Sequence, residues 1–295
     1  MPSPLVKKLV TIIFLSIVVI ITIQSFVKKN KKETIPVTAT TTSQLPALQK
    51  SVTIIGHSVQ GRAIEAYRYG SGSNHIVFVG GIHGGYEWNS VLLAYEIIDY
   101  FNNNGLIIPK NVTVDIIPSL NPDALYKVTG KDGRFNRENV VIDKKILAEA
   151  RFNANKVDLN RNFDCKWQSK SSWQSNIVSA GAGVFSEPET KALQEFILNT
   201  KPSSVVFWHS QGNGIYASQC EKGILETTRT IMNTYSQASG YPAVETFNAY
   251  VVTGAAEDWL ASIGIPAITV ELQTHETVEL EKNLAGVKAL INQFK

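Results

Sequence analysis

The segment IVFVGGIHGGYEWNS, residues 76–90, starts as an unbroken apolar run and ends in a cluster of chemically active side chains. A run with no polar alternation predicts a strand covered on both faces, as in sheets with helices on either side. Gly84-Gly85 then signals a turn. His83 and Glu87 flank those glycines, and two readings follow. One is an ordinary turn with polar residues at the surface. The other is a metal site, with an imidazole and a carboxylate at a strand end. The segment alone leaves both open.

Outward from it, strands and helices alternate. SVLLAYEIIDYFNN (90–103) has apolar residues at helical spacing, and VTVDIIPSL (112–120) predicts a strand. Upstream, VTIIG (52–56) and IEAYRYG (64–70) alternate as a hairpin pair. Downstream, SVVFWHS (204–210) and AITVEL (267–272) predict buried strands, and 185–200, 224–239, 255–264 and 278–294 predict helices. Ser186, with Glu189 three residues on and Pro188 between them, predicts a capping box. The alternation implies an α/β fold, a three-layer α/β/α domain with a mixed, largely parallel twisted sheet.

The chain has 295 residues, 44% hydrophobic and 18% charged, enough for one large core. A net charge of +3 comes largely from Lys28, Lys29, Lys31 and Lys32, so no basic signature for nucleic acid is present. Residues 9–27, LVTIIFLSIVVIITIQSFV, carry no charge and as a helix would extend about 28 Å, close to a bilayer core. A cleavable signal has a shorter apolar stretch with a small-residue site soon after it; here the tolerable site, Val37–Ala39, lies beyond the lysines. The segment is therefore expected to be an uncleaved single-pass membrane anchor with the folded domain on the extracytoplasmic side. The alternative is signal cleavage and secretion. Counting Lys7, Lys8 and the amino terminus against the downstream lysines weighs slightly against that orientation. The expected organisation is a basic tail over 1–8, the span over 9–27, a basic then Thr/Pro-rich stalk over 28–50 and one domain over 51–295.

Three candidate groups fall at strand ends, where open α/β sheets bind ligands: His83, His209 and Glu271. The other histidines, His57, His75 and His275, are expected in surface or structural roles. Glu87 is the only acid between Glu65 and Glu96, hence the candidate partner for His83. Two histidines and a glutamate, with a fourth position open to water, form a known catalytic zinc set. Glu271 sits in an apolar strand, where a carboxylate is either ion-paired or a general base. VDLNRNF (157–163) gathers Asp158, Asn160 and Arg161, and an arginine fork suits a carboxylate.

With these residues in view, the chain resembles the zinc metallocarboxypeptidases of the carboxypeptidase A type over about residues 52–294. GHSVQGRAI, GGIHGGYEW, LNPDALY, GRFNREN, VDLNRNF, FSEPET, FWHSQGNGIY, YVVTGAAEDW and AITVEL occur in the family's order. The resemblance implies one zinc ion per chain, held by His83, Glu87 and His209. It implies Glu271 as general acid/base, Arg137 as the electrophile at the scissile carbonyl, and Asn160 and Arg161 as the grip on the substrate's terminal carboxylate. Tyr250 matches the mobile tyrosine that covers the bound residue, and Asp158 the acid that orients a zinc histidine. Two departures stand out. The family spaces its first ligands as His-x-x-Glu, whereas His83 and Glu87 are one residue further apart, and the arginine that commonly precedes the glutamate is Tyr86.

The resemblance implies a monomeric metallocarboxypeptidase that removes the C-terminal residue of a peptide. The alternatives are a cell-wall amidase or carboxypeptidase acting on peptidoglycan peptides with the same site, and an inactive binding protein of the same fold. Glu257 occupies the position at the base of the pocket for the departing side chain, and an acid there predicts preference for Lys, Arg or the amine end of a diaminopimelate-type residue. Cys165 and Cys220 both flank proposed site segments, and an even cysteine count in an exported domain favours a disulfide between them over two free thiols.

Overall fold

Strands β3 (Asn74–Val79) and β7 (Ser204–Ser210) coincide with two of the unbroken apolar runs and lie side by side and parallel, with Phe78 opposite Val206 and Val79 opposite Phe207. They stand at the middle of an eight-stranded sheet ordered β1-β2-β4-β3-β7-β10-β8-β9. The other strands are β1 (Lys50–His57), β2 (Ala63–Gly70), β4 (Val112–Ile117), β8 (Gly214–Ala217), β9 (Ala243–Val244) and β10 (Ala267–Leu272). The computed structural model describes residues 50–103 and 108–295. The expected tail, membrane segment and nearly all of the stalk lie outside the described residues. Among the described residues, no helix is long and apolar enough to cross a membrane.

Side-chain alternation along the central strands builds the layers. Ile76, Phe78, Val206, Trp208, Ile268 and Val270 share one core with helices α1 (Trp88–Asn103), α5 (Glu226–Ser239) and α7 (Leu280–Gln293). Val77, Val79, Val205, Phe207 and Ala267 share the other with α4 (Pro188–Thr200) and α6 (Ala256–Ser262). Both faces of β3 and β7 are thus apolar, which is why their sequences show no alternation. Phe78 and Trp208 stack at 5.2 Å between ring centroids on the first face.

Parallel pairing is confined to the central β4-β3-β7-β10 group and the short β8–β9 pair; β1, β2 and β8 join antiparallel. The sheet is mixed, and "largely parallel" describes only its centre. The expected capping box at Ser186 does not form. Pro188 opens α4, so the cap position falls on Glu187. Ser186 Oγ bonds Glu187 Oε1, while the Glu189 carboxylate accepts from Val59 N and Asn153 Nδ2. Two short helices, α2 (Pro122–Thr129) and α3 (Lys144–Glu149), and a separate hairpin, β5 (Lys170–Trp173) with β6 (Asn176–Ser179), complete the described elements that bear on the site.

Candidate active site

His83 lies four residues past β3 in a turn that ends where α1 begins at Trp88. The glycines between His83 and Glu87 are dictated by packing. Gly84 has φ +44°, and a Cβ there would stand 2.5 Å from Ala124 Cβ; one on Gly85 would stand 2.4 Å from Val128 Cγ2. Helix α2 presses on the turn, and the extra residue is taken up by Tyr86 N, which donates to His83 O at 3.0 Å and Ala150 O at 3.2 Å. Glu87 is thereby brought back to His83 despite the longer spacing.

His209 is the last residue but one of β7, and Glu271, in the same place on β10, is its cross-strand partner. His83 Nδ1 lies 2.9 Å from Glu87 Oε1, and His209 Nδ1 2.9 Å from Glu87 Oε2. One donor atom from each of the three residues falls within 4.8 Å of the others, and all three side chains are buried. The His209–Glu87 contact lacks hydrogen-bond geometry, so Glu87 Oε2 has no hydrogen-bond partner despite the short distance. His83 Nδ1 and Glu87 Oε1 do meet hydrogen-bond geometry, so the unsatisfied carboxylate atom of the cluster is Glu87 Oε2, a buried acceptor left for a metal ion. Two imidazoles and a carboxylate form a donor set that zinc accepts. His83 Nε2 faces Asp158 Oδ1 at 3.2 Å, the carboxylate support typical of a ligating histidine.

The electrostatics match. Burial disfavours charge on His209, but Glu87, with Glu271 and Glu257 further off, outweighs it and raises its pKa to about 9. Burial likewise opposes the Glu87 carboxylate, yet the two histidines hold its pKa well below the usual range. Glu271 is pushed up to about 7, chiefly by burial and with Glu87 adding to it, against the opposing pull of His209. A carboxyl group so placed exchanges protons near neutrality.

These groups open onto a cavity of about 560 Å³ that Asn160, Arg161, Tyr250, Glu257 and Glu271 also line. Asn160 Oδ1 accepts from Ala256 N, which leaves its NH₂ for a ligand. Arg161 donates from Nε and Nη2 to Ser172 O and from Nη1 to Asn160 O. A guanidinium has five N–H donors, so part of the fork remains for an anion. Tyr250 packs edge-on against Phe247 at 4.9 Å. Glu257, in the first turn of α6, has a buried Oε2 with no hydrogen-bond partner, as does Thr269 Oγ1 beside it in the lining.

The zinc carboxypeptidase family model matches residues 37–286. The chain belongs to that family. A gamma-D-glutamyl-L-diamino acid endopeptidase of Lysinibacillus sphaericus is 25% identical over 245 residues, covering 75% of this chain and 60% of the relative. The chain thus spans less than two thirds of that relative's length. The carboxypeptidase A structure from Helicoverpa armigera superposes with a TM-score of 0.64 at 20% identity, over 85% of this chain and 69% of that one. The murein-tripeptide amidase structure from Escherichia coli O157 superposes with a TM-score of 0.57 at 22% identity, over 86% and 95%.

In this zinc carboxypeptidase family member the structure corrects one assignment. Arg137 is not brought to the cavity. Its side chain is 56% exposed and paired with Glu276 at 2.8 Å, on a 3₁₀ turn beside Trp88. The guanidinium at the cluster belongs to Arg151, which is 3% exposed. Its Nε bonds Asp158 Oδ2 at 2.9 Å, and its Nη1 lies 3.3 Å from His83 Nδ1 and 3.8 Å from Glu87 Oε1. Its signal in the sequence is its place seven residues before Asp158, at the head of RFNANKVDLNRNF. His275 also lines the cavity instead of serving a remote turn. Its Nδ1 is 2.8 Å from Ser210 Oγ, and its ring packs on Tyr86 at 4.6 Å. Cys165 and Cys220 are bridged.

Proposed function

We propose that this protein is a zinc-dependent peptidase that removes the C-terminal residue of a peptide, with preference for a basic side chain. The observation that carries the reading is the convergence of His83, Glu87 and His209 at one side of a cavity that Arg161 and the unpartnered Glu257 carboxyl line elsewhere. A zinc ion held by those three residues would supply Lewis-acid polarisation of the scissile carbonyl and acidify a water.

The chain's own groups provide the rest. Glu271 takes the proton of the attacking water and returns it to the leaving amine. Arg151 donates to the oxygen on which negative charge develops. Asp158 fixes the His83 ring and the Arg151 guanidinium together. Asn160 and Arg161 hold the terminal carboxylate, Tyr250 covers the bound residue, and Glu257 receives its cationic end.

A second reading uses the same site on cell-wall peptides. The similarity to an endopeptidase named for a γ-D-glutamyl-L-diamino acid bond supports it, because a diamino acid also presents a cation to Glu257. We propose in addition that residues 9–27 anchor the domain outside a membrane, which the Cys165–Cys220 bridge supports, since disulfides persist in oxidising compartments.

The test is a panel of peptides ending in Lys, Arg, Leu or Phe, assayed with and without chelator, with bound zinc measured in wild type and in His83→Ala, Glu87→Ala and His209→Ala. Zinc-dependent release of Lys and Arg is expected, with zinc lost from each variant. Glu257→Ala should lower kcat/KM for Lys far more than for Leu. Turnover that survives chelation would overturn the metal reading, and a wild-type preference for Leu or Phe would overturn the pocket assignment.

A further inference from the structure

The loop that follows β10 is pinned on both sides of His275. Asn89, fully buried in the first turn of α1, donates from Nδ2 to Thr274 O at 2.7 Å and to Thr277 O at 2.9 Å. Those two bonds orient its amide, and Oδ1 is left to accept from Ser210 Oγ at 2.9 Å. The Ser210 proton is thus committed to Asn89. At the 2.8 Å contact between Ser210 Oγ and His275 Nδ1, the hydroxyl oxygen therefore accepts and the ring donates. The relay sets the tautomer: Nδ1 carries the proton, and Nε2 keeps a free lone pair. Burial lowers the His275 pKa from its ordinary 6.5, which keeps the ring neutral at neutral pH. Tyr86 packs on the ring at 4.6 Å and limits its tilt. With Nδ1 turned inward to the buried Ser210, Nε2 is left toward the cavity that His275 lines, where it has no hydrogen-bond partner among the described residues.

Strand alternation decides which part of a substrate this nitrogen meets. Ser210 follows His209 in β7 and so points to the opposite face of the sheet, the face of Trp208 and α1. Glu257 comes from α6, which packs on the face of Val205 and Phe207. His275 and Glu257 thus reach one cavity from opposite faces of the sheet. With the departing side chain on Glu257, the acyl part of the peptide runs toward His275. The backbone of the acyl-side residue has a single donor, its N–H, and a neutral Nε2 can only accept.

Resting on the peptidase reading above, we propose that His275 binds the acyl side of the substrate, its Nε2 accepting from the N–H of the residue that precedes the scissile bond. Ser210 and Asn89 are positioning residues that hold the ring for this contact.

The experiment uses zinc-loaded enzyme and two matched substrates, N-acetyl-alanyl-lysine and its analogue in which an ester oxygen replaces the alanine N–H. The scissile amide is the same in both. The amide-to-ester ratio of kcat/KM is expected to be about three- to tenfold higher in wild type than in His275→Phe, the range of one net hydrogen bond. His275→Phe keeps a ring against Tyr86 and removes Nε2, and comparing ratios cancels what the ester does to the neighbouring carbonyl. His275→Gln, with an amide group at a reach similar to Nε2, should regain part of the preference. A purely structural role would lower both substrates alike and leave the ratio unchanged in His275→Phe. That result overturns this inference alone, as does equal cleavage of the two substrates by wild type. Wild type that releases lysine from neither overturns the peptidase reading and this inference with it.

Discussion

Glu271 and His209 face each other as Cα partners across the parallel β10–β7 ladder, one residue before each strand ends. Both sit on the sheet face of Val205, Phe207 and Ala267, so strand alternation alone aims them the same way. A candidate general base and a candidate metal ligand are thereby held by backbone hydrogen bonds, which loops could not do as rigidly. Glu271→Gln keeps the shape and removes the proton acceptor. Turnover should fall by about 10²–10⁴-fold while zinc content is retained. Near-normal kcat in that variant would remove Glu271 from the chemistry.

Arg151 and Arg137 provide a paired test. Arg151→Ala withdraws the guanidinium beside His83 and Glu87 and should cost about 10²–10³-fold in kcat, the range for one lost oxyanion donor. Arg137→Ala breaks an exposed pair with Glu276 and should change stability by at most about 0.5 kcal/mol. Steady-state kinetics on both variants decides the matter, and the reverse ranking would restore Arg137 to the site.

The Cys165–Cys220 bridge closes a long loop, with 55 residues of sequence separation. Constraining such a loop in the unfolded chain stabilises the fold by about 4 kcal/mol in the chain-entropy model. The double variant Cys165→Ser/Cys220→Ser should therefore unfold at a markedly lower urea concentration. An unchanged midpoint would show that the bridge adds nothing to folding.

Asp258 gives a prediction in pH. Burial, with Glu257 beside it, raises its pKa from the ordinary 3.8 to about 7. Between those values the folded state holds a proton that the unfolded chain has released. Its contribution to stability is complete below about pH 4, declines as pH rises, and is gone above about pH 7. Asp258→Asn cannot titrate but still offers an oxygen to Gln219 N. Thermal unfolding measured from pH 4 to 8 should show a flatter decline in the variant than in wild type. Identical profiles would mean that Asp258 titrates alike in both states.

Much of this was legible in residue order alone. Unbroken apolar runs placed the central strands, helical spacing placed the long helices, and the ends of those strands marked His83, His209 and Glu271, because each of these signals is carried by neighbours in sequence. Tertiary structure decided what depends on distant partners. Which arginine stands at the cluster follows from Tyr86 N meeting Ala150 O and from Asp158, seven residues after Arg151, reaching His83; the contacts of Tyr86 with Ala150 and of Asp158 with His83 join segments about 65 to 75 residues apart. The anchoring of Arg161 depends on a hairpin, KSSW paired with NIVS, too short to register as a periodic pattern. The capping box at Ser186 failed because Glu189 found partners at Val59 and Asn153 instead of its own helix end. Local periodicity specifies where a side chain leaves the backbone; only packing among remote segments selects the charge it meets.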